Sequence, residues 1–219
     1  MIRKIEKLVL AVILGLIPPV IGLLMFWWST YSFLPERYIP FLALTGLLLG
    51  ILVDIFFLKR WVGKAYRFDS KLWMAVYIFY SMCVFGFFMG VPVFNVALAI
   101  PAGFIVGGKL AAEGADSLQV WKAAKRTALF TTVVLVFVCL ASAFIALASS
   151  STGNDLKGML GLNFEITQKM IIGLIVVGSA VLLAVGWGLA VAAVRLSYRF
   201  LHRAYAKPKV VIITTGVEK

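Results

Sequence analysis

Charged residues are scarce in this sequence of 219 amino acids. Asp, Glu, Lys and Arg together make up 14% of it, whereas 63% is hydrophobic and the mean hydropathy is +1.03. A water-soluble domain carries roughly a quarter charged residues and about half apolar ones. The composition excludes a single water-soluble core, because too little polar surface is available to cover it. We therefore expect an all-α integral membrane protein.

Cysteine and histidine are also rare, which limits metal and redox chemistry. Cys83 and Cys139 lie inside apolar runs and form neither a CxxC pair nor a zinc-ligand spacing, and His202 is the only histidine. These counts argue against a disulfide framework and exclude a multi-histidine metal centre. We expect neither a bound metal nor a cofactor.

Sequence motifs for catalysis are absent as well. The chain has no GxSxG, no HExxH and no Walker motif, and Asp54 is the only carboxylate inside a predicted span. Serine hydrolysis, metalloprotease chemistry and nucleotide hydrolysis need such motifs, and carboxylate-pair catalysis needs a second acid. We therefore predict that the chain is not an enzyme and has no catalytic residues.

The sequence consists mainly of long apolar runs. A helix needs about 20 apolar residues to cross a hydrocarbon core of about 30 Å. The run at 72–108 is too long for one crossing, and Pro92 divides it because proline lacks an N–H and disfavours helix at the preceding residue. Residues 1–219 are predicted to form one polytopic membrane domain with a short fourth span interrupted by Pro101. The six predicted transmembrane helices cover about 8–28, 39–58, 72–90, 91–108, 127–149 and 170–194.

Positive charge is distributed unevenly between the predicted loops. With a cytoplasmic N-terminus, 18 of the 21 Lys and Arg residues lie in the cytoplasmic segments 1–7, 59–71, 109–126 and 195–219. Cytoplasmic loops of membrane proteins carry such an excess, so both termini are predicted to be cytoplasmic. The short loops and the absence of an N-x-[ST] sequence favour the plasma membrane of a bacterium or archaeon.

The net charge of +12 indicates partners at the cytoplasmic face. Because the charge is spread over several loops, it predicts no nucleic-acid partner. The sixth helix is expected to continue past its apolar part, which places Arg195, Arg199 and Arg203 on one stripe. Each basic residue near the surface attracts anionic lipid by about 1 kcal/mol, so this stripe is expected to anchor the chain to lipid headgroups. Before the fifth span, Asp116 or Ser117 is expected to cap a helix that runs into it.

Small residues recur every four positions in three predicted spans. Residues four apart lie on one face of a helix, and small ones allow two helices to approach closely in lipid. These stripes are predicted to form the packing seams of the bundle. They comprise Gly46 and Gly50 in the second span, Asn95, Ala99, Gly103 and Gly107 in the fourth, and Ala180, Ala184, Gly188 and Ala192 in the sixth.

Two polar residues lie on these stripes. Asp54 follows Gly50 by four residues, about one turn inside the cytoplasmic end of its span. A charge at membrane depth costs several kcal/mol unless it is paired, hydrated or neutralised, so Asp54 is either a functional residue or an anchor near water or a basic partner. Asn95 is expected to form an interhelical hydrogen bond worth under about 2 kcal/mol, with ligand binding as the alternative.

Prolines interrupt the first and fourth predicted spans. Pro18 and Pro19 lie near the middle of the first, and Pro101 lies in the fourth. Each proline removes a backbone donor and frees a carbonyl, which must find a partner or line a polar cavity. These spans open the two three-span halves of the chain, and interrupted helices at matching places in inverted halves are typical of a transporter site.

Two functions are open at this point. The leading hypothesis is a small-solute or ion transporter whose candidate binding or gating residues are Asp54, Asn95, Pro18, Pro19 and Pro101. The alternative is a non-catalytic membrane subunit or scaffold, present as a homo-oligomer or with a partner membrane subunit that supplies the activity. The nearly apolar spans and the small-residue stripes fit this alternative as well.

Overall fold

The computed structural model of the chain describes residues 2–31, 33–149, 152–153, 157–158, 161 and 167–205. Its regular elements are helices, and these residues contain no strand, which confirms the all-α prediction. The α-helices are α1 (Ile2–Gly15), α2 (Ile17–Tyr31), α3 (Ile39–Lys64), α4 (Ser70–Phe87), α5 (Val93–Val96), α6 (Ala99–Glu113), α7 (Ser117–Ala148) and α8 (Gln168–Tyr205). Short 3₁₀ turns, Glu36–Tyr38 and Ala65–Arg67, flank α3.

Six helical segments among the described residues are long and apolar enough to cross a membrane. The first span combines α1 with α2, and the fourth combines α5 with α6. The chain is therefore a polytopic membrane protein, as its composition predicts. Most spans are longer than predicted, because the helices continue beyond their apolar parts into charged ends. Their bounds are Ile2–Tyr31, Glu36–Arg67, Ser70–Phe87, Val93–Glu113, Ser117–Ala148 and Gln168–Tyr205.

A tight turn separates the third and fourth spans. Met89 and Gly90 have positive φ angles of 54° and 81°, and Pro92 precedes the first residue of α5. Positive φ is easily adopted by glycine, and it breaks the regular helix here. The predicted division of the long apolar run therefore lies at this turn.

The start of α7 confirms the predicted helix cap. The Asp116 carboxylate accepts a hydrogen bond from the backbone N–H of Gln119 at 2.7 Å. The Gln119 side chain in turn accepts one from the backbone N–H of Asp116 at 3.1 Å. This reciprocal pair is a capping box, which satisfies two backbone donors that the first helical turn leaves without partners.

The sixth span is one continuous helix that passes Arg195 and ends at Tyr205. Its extension beyond the apolar part confirms the prediction that the last helix continues into the basic segment. The predicted tail 195–219 is described as far as Tyr205, and residues 206–219 lie outside the described residues.

The structure divides into two compact units, Met1–Met82 and Cys83–Lys219. In the first unit, α3 packs against α2 and α1. In the second, α8 packs against α6 and α7, and α6 also contacts α7. Each unit therefore has its own helix seams, which are described separately.

The seam of the first unit is a direct contact between two helix backbones. A Cβ atom built on Gly22 would overlap the carbonyl of Gly46, and one built on Gly50 would overlap the backbone of Pro18 and Pro19. Glycine is required at such positions because any side chain would force the helices apart. Gly46 and Gly50 thus fix the register of α3 on α2.

The seam of the second unit joins α6 to α8. A Cβ on Gly103 would come within 2.5 Å of the Ala193 Cβ, and one on Gly107 within 2.5 Å of the Val194 carbonyl oxygen. Asn95 and Ala99 of the fourth span are also buried.

The face of α8 that forms this seam differs from the predicted one. Gly186, Ala190 and Val194 are buried, whereas Ala184 and Gly188 are exposed, and a Cβ on Gly188 has no atom within 4 Å. A displacement of two residues corresponds to about 200° around a helix, so the two sets lie on nearly opposite faces. Ala184 and Gly188 therefore do not form the α6–α8 seam, and their role in helix packing stays a prediction.

Candidate functional site

The first span is broken at its centre. α1 ends at Gly15, Leu16 forms a turn, and α2 begins at Ile17. Pro18 and Pro19 follow at once, and they have no N–H to donate to the carbonyls of Leu14 and Gly15, four residues earlier.

Two backbone hydrogen bonds lie at the break, and neither of them uses the Leu14 or Gly15 carbonyl. The N–H of Leu16 donates to Val12, and the N–H of Val20 donates to Leu16. The end of α1 therefore presents the Leu14 and Gly15 carbonyls without their usual helical donors.

Asp54 of α3 lies against this end of α1. A Cβ built on Gly15 would be 3.8 Å from the Asp54 Oδ2 atom and 3.3 Å from the Leu58 side chain. The placement follows from the seam, because Gly50 contacts Pro18 and Pro19 and Asp54 lies one helical turn further along the same face of α3.

The Asp54 carboxyl group is only partly satisfied. Its Oδ1 atom is buried and has no hydrogen-bond partner among the described residues. The C-terminal end of a helix carries a partial negative charge, about half an elementary charge. An ionised Asp54 beside this end of α1 is unfavourable until a positive species neutralises it. The arrangement can hold either a proton or a cation.

Tyr80 of α4 contacts the break from another helix. Its hydroxyl donates a hydrogen bond to the carbonyl of Ile13, near the end of α1. Sequence reasoning missed this residue, although a tyrosine inside an apolar run is a signal that its hydroxyl needs a partner. Tyr80 satisfies the Ile13 carbonyl, and Asp54 lies beside Gly15, two residues further along α1.

A second acid, Glu6, is buried at the start of α1. It is 4% exposed, and the Tyr66 hydroxyl donates a hydrogen bond to its Oε1 atom at 2.6 Å. Sequence reasoning placed Glu6 in a cytoplasmic loop. Its spacing of four residues from Leu10, and of eight from Leu14, is the signal that it shares the buried face of α1.

The remaining candidate residues lie in the second unit. Asn95 is 3% exposed in α5, and α6 begins at Ala99, two residues before Pro101. The carbonyl of Ala97, which Pro101 deprives of its helical donor, accepts a hydrogen bond from the N–H of Ile100 at 3.1 Å. The N–H of Ile100 therefore satisfies this carbonyl.

Two basic residues of the second unit lie over one indole ring. Arg195 lies over the Trp121 ring at 4.1 Å and Lys125 at 4.7 Å from its centroid. The Tyr198 hydroxyl donates to the carbonyl of Ala115 at 2.6 Å, which joins α8 to the loop before α7. Arg199 and Arg203 are exposed on α8. This end of the unit offers several cations to an anionic surface.

The described residues form no cluster of three or more His, Cys, Asp or Glu side chains that could hold a metal ion. No family model, curated protein or solved structure matches this chain.

Proposed function

We propose that the chain is a membrane transporter for a small solute or ion, and that Asp54 exchanges a proton or cation beside the break in the first span. The observation that carries the proposal is a carboxylate with a buried, unpartnered oxygen against the C-terminal end of α1. Acids at membrane depth mark ion and proton pathways, and interrupted helices supply the backbone groups that line them. The proposed role requires no enzymatic chemistry.

The fourth span supports the same proposal. α5 ends at Val96 and α6 begins at Ala99, close to Pro101. We propose that Pro101 interrupts this span as Pro18 and Pro19 interrupt the first, so that each three-span half begins with a broken helix. Asn95, buried beside this interruption, is the proposed polar contact of the second half.

Charge supports the proposed orientation, with both termini in the cytoplasm of a bacterium or archaeon. In the first unit the Tyr66–Glu6 hydrogen bond brings the basic start of α1 to the basic end of α3. In the second, Arg195 and Lys125 meet at Trp121. Basic residues thus gather at one end of each unit, where anionic lipid is the proposed partner of Arg195, Arg199 and Arg203.

Ion flux into proteoliposomes tests the transport proposal. Purified protein is reconstituted with an internal pH dye and a membrane-potential dye, and gradients of H⁺, Na⁺ and K⁺ are applied in turn. Wild type is expected to dissipate at least one gradient, and Asp54→Asn is expected to reduce the rate to that of protein-free vesicles with an unchanged folded yield. Glu36→Gln, an exposed acid in the same unit, is the matched control and keeps wild-type flux. Normal flux in Asp54→Asn removes Asp54 from the mechanism.

A second function, a non-catalytic membrane subunit, is favoured by the exposed face of α8. Ala180, Ala184, Gly188 and Ala192 repeat every four residues on that face, and a Cβ on Gly188 meets nothing within 4 Å. Such a stripe allows another helix to approach closely.

Affinity purification from the native membrane in mild detergent tests this second function. A stoichiometric partner, or a second copy of the chain, is expected to co-purify and to be lost in Gly188→Leu. Gly86→Leu, at an equally open position on α4, is the control and retains the complex. A lone monomer in wild type would exclude the subunit function.

A further inference from the structure

We infer that the break in the first span binds a monovalent metal cation through the Asp54 carboxylate and the main-chain carbonyls of Leu14 and Gly15. The inference rests on the proposed transport function, because it assigns the ion to the same residue. Na⁺ is the alkali cation to which we commit, and K⁺ and Li⁺ are arms of the test.

The chemistry of the three groups is that of a hard-cation site. Hard cations prefer oxygen ligands from carboxylates and backbone carbonyls. Because Pro18 and Pro19 have no N–H, the Leu14 and Gly15 carbonyls lack their usual helical donors. The Asp54 carboxylate of α3 lies beside Gly15. The negative end of the α1 dipole favours a cation at the same point.

The charge of the site selects a monovalent ion. Among the described residues, Asp54 is the acid that lies at the break, and Glu6, nine residues before Gly15, accepts a hydrogen bond from Tyr66. The part of the chain that the structure describes has no cluster of three acidic, histidine or cysteine ligands. A single carboxylate neutralises one positive charge, so a divalent ion would leave a second charge uncompensated in lipid.

The Asp54 Oδ1 atom is buried and has no hydrogen-bond partner among the described residues, so a proton carried on this oxygen would have no protein acceptor there. A cation bound at Oδ1 would supply the missing partner and would take further oxygen ligands from the adjacent end of α1.

Gly15 keeps the space between the carboxylate and α1 open. A Cβ at this position would come 3.8 Å from the Asp54 Oδ2 atom and 3.3 Å from Leu58. Gly15→Ala therefore places a methyl group beside the proposed site without changing its charge. We expect it to weaken cation binding severalfold.

Equilibrium binding of radioactive Na⁺ tests the inference without measuring flux. The full chain, purified in nanodiscs in choline chloride, is titrated with Na⁺ at constant ionic strength, and the thermal unfolding midpoint is followed in parallel. Wild type is expected to bind Na⁺ saturably and to unfold about 2–4 °C higher when the site is filled. Asp54→Asn is expected to lose both effects, and Glu36→Gln keeps them.

The outcomes separate this inference from the transport proposal. Absence of saturable Na⁺, K⁺ and Li⁺ binding to wild type overturns the cation site, while Asp54-dependent proton flux in vesicles would leave transport standing. Binding that survives Asp54→Asn also overturns it. Saturable binding without any flux supports the site and contradicts the transporter. If Asp54→Asn does not fold, unchanged Na⁺ affinity in folded Gly15→Ala decides against the inference.

Discussion

Two carboxyl groups in the first unit, the buried Glu6 and the half-buried Asp54, are held in different ways. Glu6 accepts a hydrogen bond from the Tyr66 hydroxyl at 2.6 Å, whereas the Oδ1 atom of Asp54 has no partner among the described residues. A buried polar group is tolerated at low cost only when it is hydrogen-bonded. Glu6 is therefore explained as a structural residue that ties α1 to the end of α3. Asp54 has no such hydrogen bond to explain it. This difference is the basis for proposing that Asp54 binds the cation.

Tyr66→Phe is expected to destabilise the fold, because it removes the phenolic donor and leaves the buried Glu6 carboxylate less well satisfied. The expected loss is about 1–3 kcal/mol in the free energy of unfolding. It is measured as a lower unfolding midpoint in detergent. Tyr38→Phe is the control, since this tyrosine is exposed and its loss should change stability by under about 0.5 kcal/mol. Equal stability of the two variants would contradict the structural role of Glu6.

At the scale of the helices, close packing depends on the face that glycine occupies. Gly107 contacts the backbone of α8, whereas Gly188 on α8 faces open space. A backbone carbonyl cannot move aside as a side chain can, so added volume at Gly107 must separate two helices. A larger side chain is therefore expected to be excluded at Gly107 and accepted at Gly188 of the same unit.

Gly107→Leu is expected to disrupt the α6–α8 seam, with a loss of at least about 1–3 kcal/mol, because the first added carbon lies 2.5 Å from the Val194 carbonyl oxygen. The readout is the folded fraction in size-exclusion chromatography together with the unfolding midpoint. Gly188→Leu in the same assay is expected to fold as wild type. A folded, equally stable Gly107→Leu protein would show that the seam is not as close as described.

The helices also show what the sequence pattern can and cannot specify. The cap at Asp116 was predictable, because all its atoms come from residues three apart. The buried face of α8 was not, because small residues occur on two nearly opposite faces, and a four-residue spacing cannot choose between them. Only the contact with Gly103 and Gly107 decides the face.

At the scale of the whole chain, the membrane character and the six spans follow from apolar run length, and both were predictable. The candidate site was predictable only in its parts. Asp54 and the proline pair are visible in the sequence, but their meeting depends on the register of α3 against α2, which the contact of Gly22 with Gly46 sets. The partners of Glu6 and Ile13 come from residues more than fifty positions away, and no local pattern encodes such pairs.

The length of α8 has a mechanical consequence. Its 38 residues extend about 57 Å, nearly twice the roughly 30 Å of a hydrocarbon core. The helix has no break between its apolar part and the arginines that follow. Because the helix is continuous, a small tilt of the part that packs on α6 would displace its charged end by a larger distance. Any rearrangement along the α6–α8 seam would therefore also move the basic end of α8, because no helix break lies between them.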